Sequence, residues 1–398
     1  MVKVSTKIYY VLTFPAEKHY IILIMDTFEK LKLLSDASQY DLACACGTKG
    51  GPDHRVRKGD GSWLYPVSMP GGGYSIMLKT LISNVCNNDC GYCPFRAAMD
   101  VPRCTITPDE MAKLFMDYDR QRGLIGLFLS SGVVGTPDNT MELINGTARI
   151  LRRKYAYRGY IHLKVIPGAS DAAIDEAIAL ASAVSVNIEV PGEKHFSALS
   201  QKKDFLKDII RPMRRIARLT DRGTRYHRVR QTTQFIVGAA DETDAEIVRY
   251  TSGLYKRLNL DRVYFSSYQR GLGNEAIPGE RRDGVTADDG FVREHRLYQV
   301  DFLFRQYGFT EEDIQYDESG RLFIDKDPKL MWAERHPERF PVDVNRAELP
   351  ALLRVPGIGP LTARRIVKMR EGGARIPSMD GLPLRGKRRV LAEKYLTC

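Results

Sequence analysis

Cys86-Asn-Asn-Asp-Cys90-Gly-Tyr92-Cys93 decides the reading of this chain. Three cysteines stand in a C-x3-C-x2-C spacing, just after the apolar run Ser75-Ile-Met-Leu-Lys-Thr-Leu-Ile-Ser83. Cubane iron–sulfur clusters are ordinarily held by four thiolates. Three thiolates in one loop grip three irons and leave the fourth open to a ligand that is not protein. A zinc site is the competing reading, with Cys104 as the fourth ligand. Structural zinc usually shows two close cysteine pairs or a Cys/His pair. No second pair follows here, and His54, the nearest histidine upstream, has no partner at zinc spacing.

At 398 residues the chain is long enough for one large core and an appendage, two or three domains in all. Seven cysteines without a signal peptide do not read as a disulfide framework and point to a reducing cytoplasm. The hydrophobic stretch at 9–25 is interrupted by Glu17, Lys18 and His19 and is too broken to span a membrane. Met25-Asp-Thr-Phe also reads as a start, with residues 1–24 a loose extension.

The net charge of +11 is concentrated. Residues 351–398 hold 11 Lys/Arg against 3 Asp/Glu, and residues 200–230 hold the same numbers. Everything outside these two windows sums to −5. Positive charge this local suits a polyanion partner, because neutralising phosphates releases condensed counterions. A solvated helix face remains the alternative for 200–230.

From the cysteine loop onward, strand-like and helix-like segments alternate. Strands are predicted at 77–83, 124–130, 159–166, 184–190, 232–237 and 262–268. Helices are predicted at 108–121, 141–155, 171–181 and 243–258, with a long basic helical region at 197–222. Thr107 and Ser170 read as N-caps, and Pro108 sits at the first helical position. Apolar strands alternating with helices predict an α/β fold built on a parallel sheet.

The cysteine loop, with Tyr92 directly before the last cysteine, resembles that of the radical S-adenosylmethionine (SAM) superfamily. The resemblance implies a partial (β/α)6 barrel over residues 71–275 and a 4Fe-4S cluster on Cys86, Cys90 and Cys93. It implies that SAM chelates the open iron and that the reduced cluster cleaves it to a 5′-deoxyadenosyl radical. An electron donor such as flavodoxin or ferredoxin is implied with it. Ser130, Ser131 and Gly132 follow the second strand, where that family binds the SAM amino group, although the family's acidic residue is missing. Period-two alternation puts Ser185, Asn187 and Glu189 on one strand face, suited to the ribose hydroxyls. Ile236 and Gly238, in Phe235-Ile236-Val-Gly238-Ala-Ala-Asp241-Glu242, resemble the family's element at the adenine edge.

The tail reads Val355-Pro356-Gly357-Ile358-Gly359-Pro360-Leu-Thr-Ala-Arg364-Arg365-Ile-Val-Lys368, and resembles a helix–hairpin–helix. Gly357 and Gly359 permit a tight hairpin around Ile358, and the next helix N-terminus offers amides to an anion. Arg364, Arg365 and Lys368 lie within two turns and reach flanking phosphates, contacts that position without reading sequence. A second basic segment, Arg385-Gly-Lys387-Arg388-Arg389, extends the footprint.

Residues 1–70 are expected to be an extension and cap segment, 276–341 a helical connector, and 342–398 a helix–hairpin–helix domain. The chain from about Thr27 onward resembles the radical SAM DNA modification or repair proteins linked to uracil-DNA-glycosylase-like proteins. Lys30-Leu-Lys-Leu-Leu-Ser-Asp-Ala-Ser-Gln-Tyr-Asp41, Leu127-Phe-Leu-Ser-Ser-Gly-Val133 and His162-Leu-Lys164-Val-Ile-Pro-Gly-Ala169 carry that resemblance, with the tail hairpin. It implies a nucleic-acid partner, DNA before RNA, and a glycosylase-like protein by association.

Two further candidates lie beyond SAM. Lys164 shares a strand face with His162, and an inward lysine is costly unless paired or used. Cys44, beside Cys46, could return a hydrogen atom. Two alternatives stay open: a radical enzyme acting on a small molecule or peptide, its tail recruiting a partner, and a zinc-containing nucleic-acid-binding protein without catalysis.

Overall fold

The computed structural model describes residues 10–11, 21–22, 25–38, 63–68, 73–281 and 286–398. Cys44 and Cys46 lie outside the described residues. A seven-stranded sheet runs in chain order: β1 (Leu64–Ser68), β2 (Tyr74–Leu81), β3 (Gly126–Ser130), β4 (Tyr160–Lys164), β5 (Ala183–Ser185), β6 (Arg230–Val237) and β7 (Arg262–Ser267). β1 runs antiparallel to β2, and β2 to β5 are parallel to one another in order. The last six are the six strands expected from the sequence, arranged as a partial (β/α) barrel. β1 escaped the pattern because it contains Pro66, a residue sheets tolerate at an edge.

The chain divides into two compact units. The first takes the described residues up to Asn88 together with Phe95–Ser185. It carries β1 to β5 and the helices α1 (Thr27–Ser38), α2 (Pro108–Arg122), α3 (Pro137–Arg153) and α4 (Asp171–Leu180). Leu78, Leu127 and Ile161 pair across three neighbouring strands and are fully buried, as are Leu163 and Val184. Thr107 opens α2 in a capping box with Glu110, and Ser170 caps α4, as expected. α3 begins at Pro137 behind Thr136, four residues before the expected start. The apolar period begins at Met141, but the cap-plus-proline signal at 136–137 repeats that at 107–108.

The second unit takes Asp89–Pro94 and Val186–Cys398. It holds β6, β7, α5 (Arg211–Leu219), α6 (Asp244–Leu258), α7 (Ala287–Tyr307) and the tail helices. Two expectations are corrected here. The fourth predicted strand stops at Ser185 instead of running to 190. Beyond it the Thr233 side chain takes ladder roles: its Oγ1 donates to the Val186 carbonyl (2.7 Å) and accepts from the Ile188 amide (2.9 Å). Glu189 then turns left-handed at φ 64°, so alternation cannot place residues 185, 187 and 189. The expected helix at 197–222 is likewise three pieces: Glu193–Ser197, a π-helical turn Phe205–Ile210 and α5. Asp204 caps the middle piece and Pro212 restarts the last.

A buried ion cluster fixes the end of β6. Arg293 of α7 bonds Asp244 (2.5 Å) and Glu242 (3.3 Å), both carboxylates almost wholly buried. Glu242 in turn accepts from the Gly238 amide (2.6 Å), and Asp244 from the Leu322 amide (2.8 Å).

The tail has its own apolar core of Val344, Leu352, Val355, Ile358, Ala363 and Ile366. Val342–Asp343 pairs in parallel with Leu396–Thr397, joining its two ends. No helix among the described residues is long and apolar enough to cross a membrane.

Breaking a buried pair leaves an uncompensated charge, typically costing about 3–5 kcal/mol. Arg293→Met should therefore lower unfolding stability by about that amount, read from urea midpoints. A loss under about 1 kcal/mol would mean the carboxylates find other partners.

Candidate active site and tail hairpin

In the second unit, the carboxylate of Asp89 organises the cysteine loop. It accepts from the Ser200 hydroxyl (2.5 Å) and from the amides of Gln201 (2.8 Å) and Lys202 (3.2 Å). Although burial opposes ionisation, these bonds hold its pKa below the usual carboxylate value. Gly91 donates to the Leu199 carbonyl (2.6 Å), and a Cβ there would collide with Ile277. Cys90 is buried, Cys86 and Cys93 are half-buried, and none is in a disulfide.

Around Cys90 and Cys93 the residues are polar and matched in charge. The Tyr92 hydroxyl donates to Glu189, and burial, then Glu189 and the two cysteines, push its pKa well above the usual phenol range. Lys203 donates to Cys90. Burial works against its charge, but Cys90, Glu189 and Cys93 outweigh burial and keep it protonated above the usual lysine range. Glu189 is fixed by its backbone: its amide donates to the Gln234 carbonyl (3.0 Å), and its carbonyl accepts from the Ile236 amide (2.7 Å). A left-handed conformation is strained for a non-glycine residue, and such strain clusters at binding sites.

Asn187 Oδ1 is buried and has no hydrogen-bond partner among the described residues. An orphaned buried acceptor costs about 1–3 kcal/mol unless something donates to it. A ligand hydroxyl or ammonium supplies that donor, so the residues fit a SAM-like group. Gly238, at φ 92°, leaves β6 in a turn held by Glu242. Ile236 is buried.

The remaining expected residues lie in the first unit. Gly132 donates to the Ser83 carbonyl (2.7 Å), and a Cβ on it would collide with the Val85 carbonyl beside Cys86. Its glycine is thus required by the backbone under Cys86. Ser131 Oγ donates to the same Ser83 carbonyl (3.4 Å), and Ser130 is buried at the end of β3. The Ser185 hydroxyl pairs with His162 Nε2 (3.0 Å), a partner the ribose reading did not foresee. His162 and Lys164 are both buried, as their shared face predicts. The His162 ring lies 4.5 Å from that of Phe128, and the Lys164 ammonium 5.9 Å from it.

The Cys104 thiol faces the Lys30 carbonyl (3.8 Å), and burial pushes its pKa up to about 11.

Sequence reasoning missed Asp89, Gly91 and Lys203. Asp89 and Gly91 stood inside the quoted loop, whereas Glu242 reads from the sequence as the closing Glu of the element containing Gly238. Lys203 gave no local signal, since its partners lie far away in sequence.

In the tail, α9 (Leu349–Arg354) and α10 (Pro360–Glu371) flank the hairpin. Gly357 sits at φ 85°, with no room for a Cβ against the Arg388 carbonyl. Ile358, expected from the sequence to join the hairpin's nucleic-acid contacts, is instead an anchor. Its side chain is core, its amide donates to Val355, and its carbonyl accepts from Lys329 Nζ (2.6 Å) on α8 (Pro328–Arg335). From Gly359 onward the start of α10 leaves amide donors without intrahelical partners. Arg364, Arg365 and Lys368 are exposed. Arg389 is instead spent on Asp380 and Glu393, both at 2.7 Å.

Two predictions follow from these contacts. Asn187→Leu should weaken SAM binding by about 1–3 kcal/mol without changing iron content, measured by titration calorimetry on reconstituted protein. Unchanged affinity would place the orphan oxygen elsewhere than at the ligand. The second concerns pH. Burial lowers Lys329 from 10.5 to about 7, with Arg354 adding to the fall and Asp327 opposing it. Between those values the folded state binds fewer protons than the unfolded chain, so this residue makes stability rise from about pH 7 to about pH 10. Lys329→Met should remove that rise. Urea midpoints of both proteins at pH 7 and 9 test it, and an equal difference at both would put the ammonium in water.

Residues 80–251 match the family model of the Radical SAM superfamily, and residues 339–384 match that of the helix-hairpin-helix motif. No curated protein sequence matches the chain. Similar solved structures include methylornithine synthase, 14% identical with a TM-score of 0.44 over 56% of this chain and 62% of that one. The FeFe-hydrogenase maturase HydG from Carboxydothermus hydrogenoformans is 15% identical, TM-score 0.42, over 57% of this chain and 52% of that one. Streptococcus suis SuiB is 10% identical, TM-score 0.42, over 69% and 54%. The chain covers less than two thirds of the length of each of these structures. Enzymes of this superfamily use a 4Fe-4S cluster and SAM. The chain carries a radical SAM enzyme domain and, C-terminal to it, a helix-hairpin-helix motif.

Proposed function

We propose that the protein is a radical SAM enzyme that modifies or repairs nucleic acid, DNA before RNA, holding the backbone with its tail hairpin. The observation that carries the nucleic-acid reading is the run of exposed cations Arg364, Arg365 and Lys368 along α10, the helix that begins directly behind the Gly357 turn. Cys86, Cys90 and Cys93 would hold the cluster. Asn187, Glu189, Ile236 and Gly238 would hold SAM. When bound, the cluster and SAM supply a carbon radical that removes a hydrogen atom from the substrate.

The chain's own residues prepare that chemistry. Asp89 fixes the loop, and Lys203 offsets thiolate charge at Cys90. Glu189 keeps Tyr92 protonated as a donor. A single nucleotide must leave its stack to be reached, at a cost of a few kcal/mol, and a hairpin that grips phosphate holds the strand while it does. A cytoplasmic location, a flavodoxin- or ferredoxin-like electron donor and a uracil-DNA-glycosylase-like partner belong to the same reading and rest on the resemblance. A small-molecule substrate is the second reading, favoured by the buried face of Lys79, His162 and Lys164 around Phe128.

Anaerobically reconstituted protein should bind about four irons and release 5′-deoxyadenosine from SAM under reduction. Cys86→Ser, Cys90→Ser and Cys93→Ser should lose both, while Cys104→Ser keeps both. The variant Arg364→Ala/Arg365→Ala/Lys368→Ala should keep cluster and cleavage but make the log–log salt slope of duplex binding shallower by about 2.7, at about 0.9 per phosphate. Stoichiometric zinc without SAM cleavage would sink the enzyme reading. An unchanged slope would sink the hairpin's role and favour the small-molecule substrate.

A further inference from the structure

Two adjoining clefts of the second unit carry positive charge that the reading above leaves unused. One, about 830 Å³, is lined by Arg211, Arg214 and Arg218 of α5 and by Lys256 and Arg257 at the end of α6, with Asp221 as its one carboxylate. The other, about 630 Å³, shares Lys256 and Asn259 with the first and adds His227 and Arg230, with Asp261 as its one carboxylate. Arg211, Arg214 and Arg218 are spaced i, i+3, i+7 and are all exposed, so they form one stripe along α5. Arg214, Arg218 and Arg257 make no hydrogen bond or ion pair among the described residues. The last turn of α6 accounts for part of this charge, because cations there meet the helix dipole. Arg218 likewise lies in the last turn of α5, but the dipole does not account for Arg211 and Arg214.

We propose that this double cleft is a second binding surface for nucleic-acid backbone, on the barrel side of the chain. The proposal rests on the nucleic-acid reading and names where else the polymer is held. Cations gathered in a concavity with one carboxylate repel one another, and a bound polyanion offsets that repulsion. Four of the five in the first cleft are arginines, whose planar forks match phosphate oxygens in pairs. The stripe from Arg211 to Arg218 spans seven residues, about 10 Å at 1.5 Å per residue. That is about three phosphate steps at the 3.4 Å rise of one strand. A charged track continuing into a second cleft suits a chain of phosphates better than a single one. An acidic protein is the competing occupant.

The test compares four full-length proteins by fluorescence anisotropy with a labelled duplex and a labelled single strand at several salt concentrations: wild type, Arg214→Glu/Arg218→Glu/Arg257→Glu, Arg214→Lys/Arg218→Lys/Arg257→Lys, and the tail variant Arg364→Ala/Arg365→Ala/Lys368→Ala. All three cleft positions are exposed, and Arg214→Lys/Arg218→Lys/Arg257→Lys, which keeps the charge, should retain most of the binding. The charge-reversed cleft variant should bind at least tenfold more weakly, with a salt slope shallower by about 2.7. If it binds as wild type does while the tail variant loses binding, the cleft proposal fails and the hairpin reading stands. If the cleft variant loses binding and the tail variant does not, the cleft is the polymer's site and the hairpin reading fails. Wild type that binds no duplex or single strand overturns both, leaving an acidic protein as the cleft's partner.

Discussion

The left-handed backbone of Glu189 is the constraint on which the candidate site depends. Its peptide bridges to the start and end of the Gln234–Ile236 step through two hydrogen bonds, while its carboxylate takes the hydroxyl of Tyr92 from the cysteine loop. One residue therefore registers the loop against β6. The strain of a positive φ on a β-carbon-bearing residue costs about 1–3 kcal/mol, and a glycine would avoid it. The carboxylate is what a glycine could not supply. Asn187, two residues earlier, is buried with an acceptor that no group among the described residues meets.

Charge is placed with similar economy around the cysteines. Lys203 stands among Cys90, Cys93 and Glu189, and its ammonium survives burial because three anionic or polarisable neighbours favour it. Asp89 lies on the same loop and spends its charge on the segment that delivers Lys203. Hydrogen bonds to cluster sulfurs tune a cluster's reduction potential, so on the proposed reading a lysine donating to Cys90 would make the reduced form of a bound cluster easier to reach. Farther along, Glu242 accepts the Gly238 amide and is itself held by Arg293. The turn at the end of β6 is thus fixed by a buried pair rather than by sequence-local bonds alone.

The tail follows a different logic. Its hairpin is stabilised from below: Ile358 fills the core and Lys329 takes its carbonyl. Arg354 lies over the rings of Phe309 and Trp332 and pairs with Asp313 at 2.9 Å. On the proposed reading, such anchoring leaves the amides after Gly359 and the exposed cations of α10 to face a polyanion. Phosphate contacts of that kind fix position and orientation but carry no base information. Any selectivity for a particular nucleotide would then have to come from the barrel.

The sequence by itself determined the cysteine loop, the order of the parallel strands, the caps at Thr107 and Ser170, and the two glycines of the hairpin. Each rests on spacing within a dozen residues, where period and backbone sterics act directly. It could not determine where the fourth parallel strand ends, because a Thr233 hydroxyl from the next strand replaces the ladder there. Nor could it show that Ile358 points inward, that Ser185 belongs to His162, or that Lys203 belongs to Cys90. Those pairings join residues many positions apart, and only the tertiary structure decides them. Burial makes each polar group depend on whichever partner the fold brings within about 3 Å.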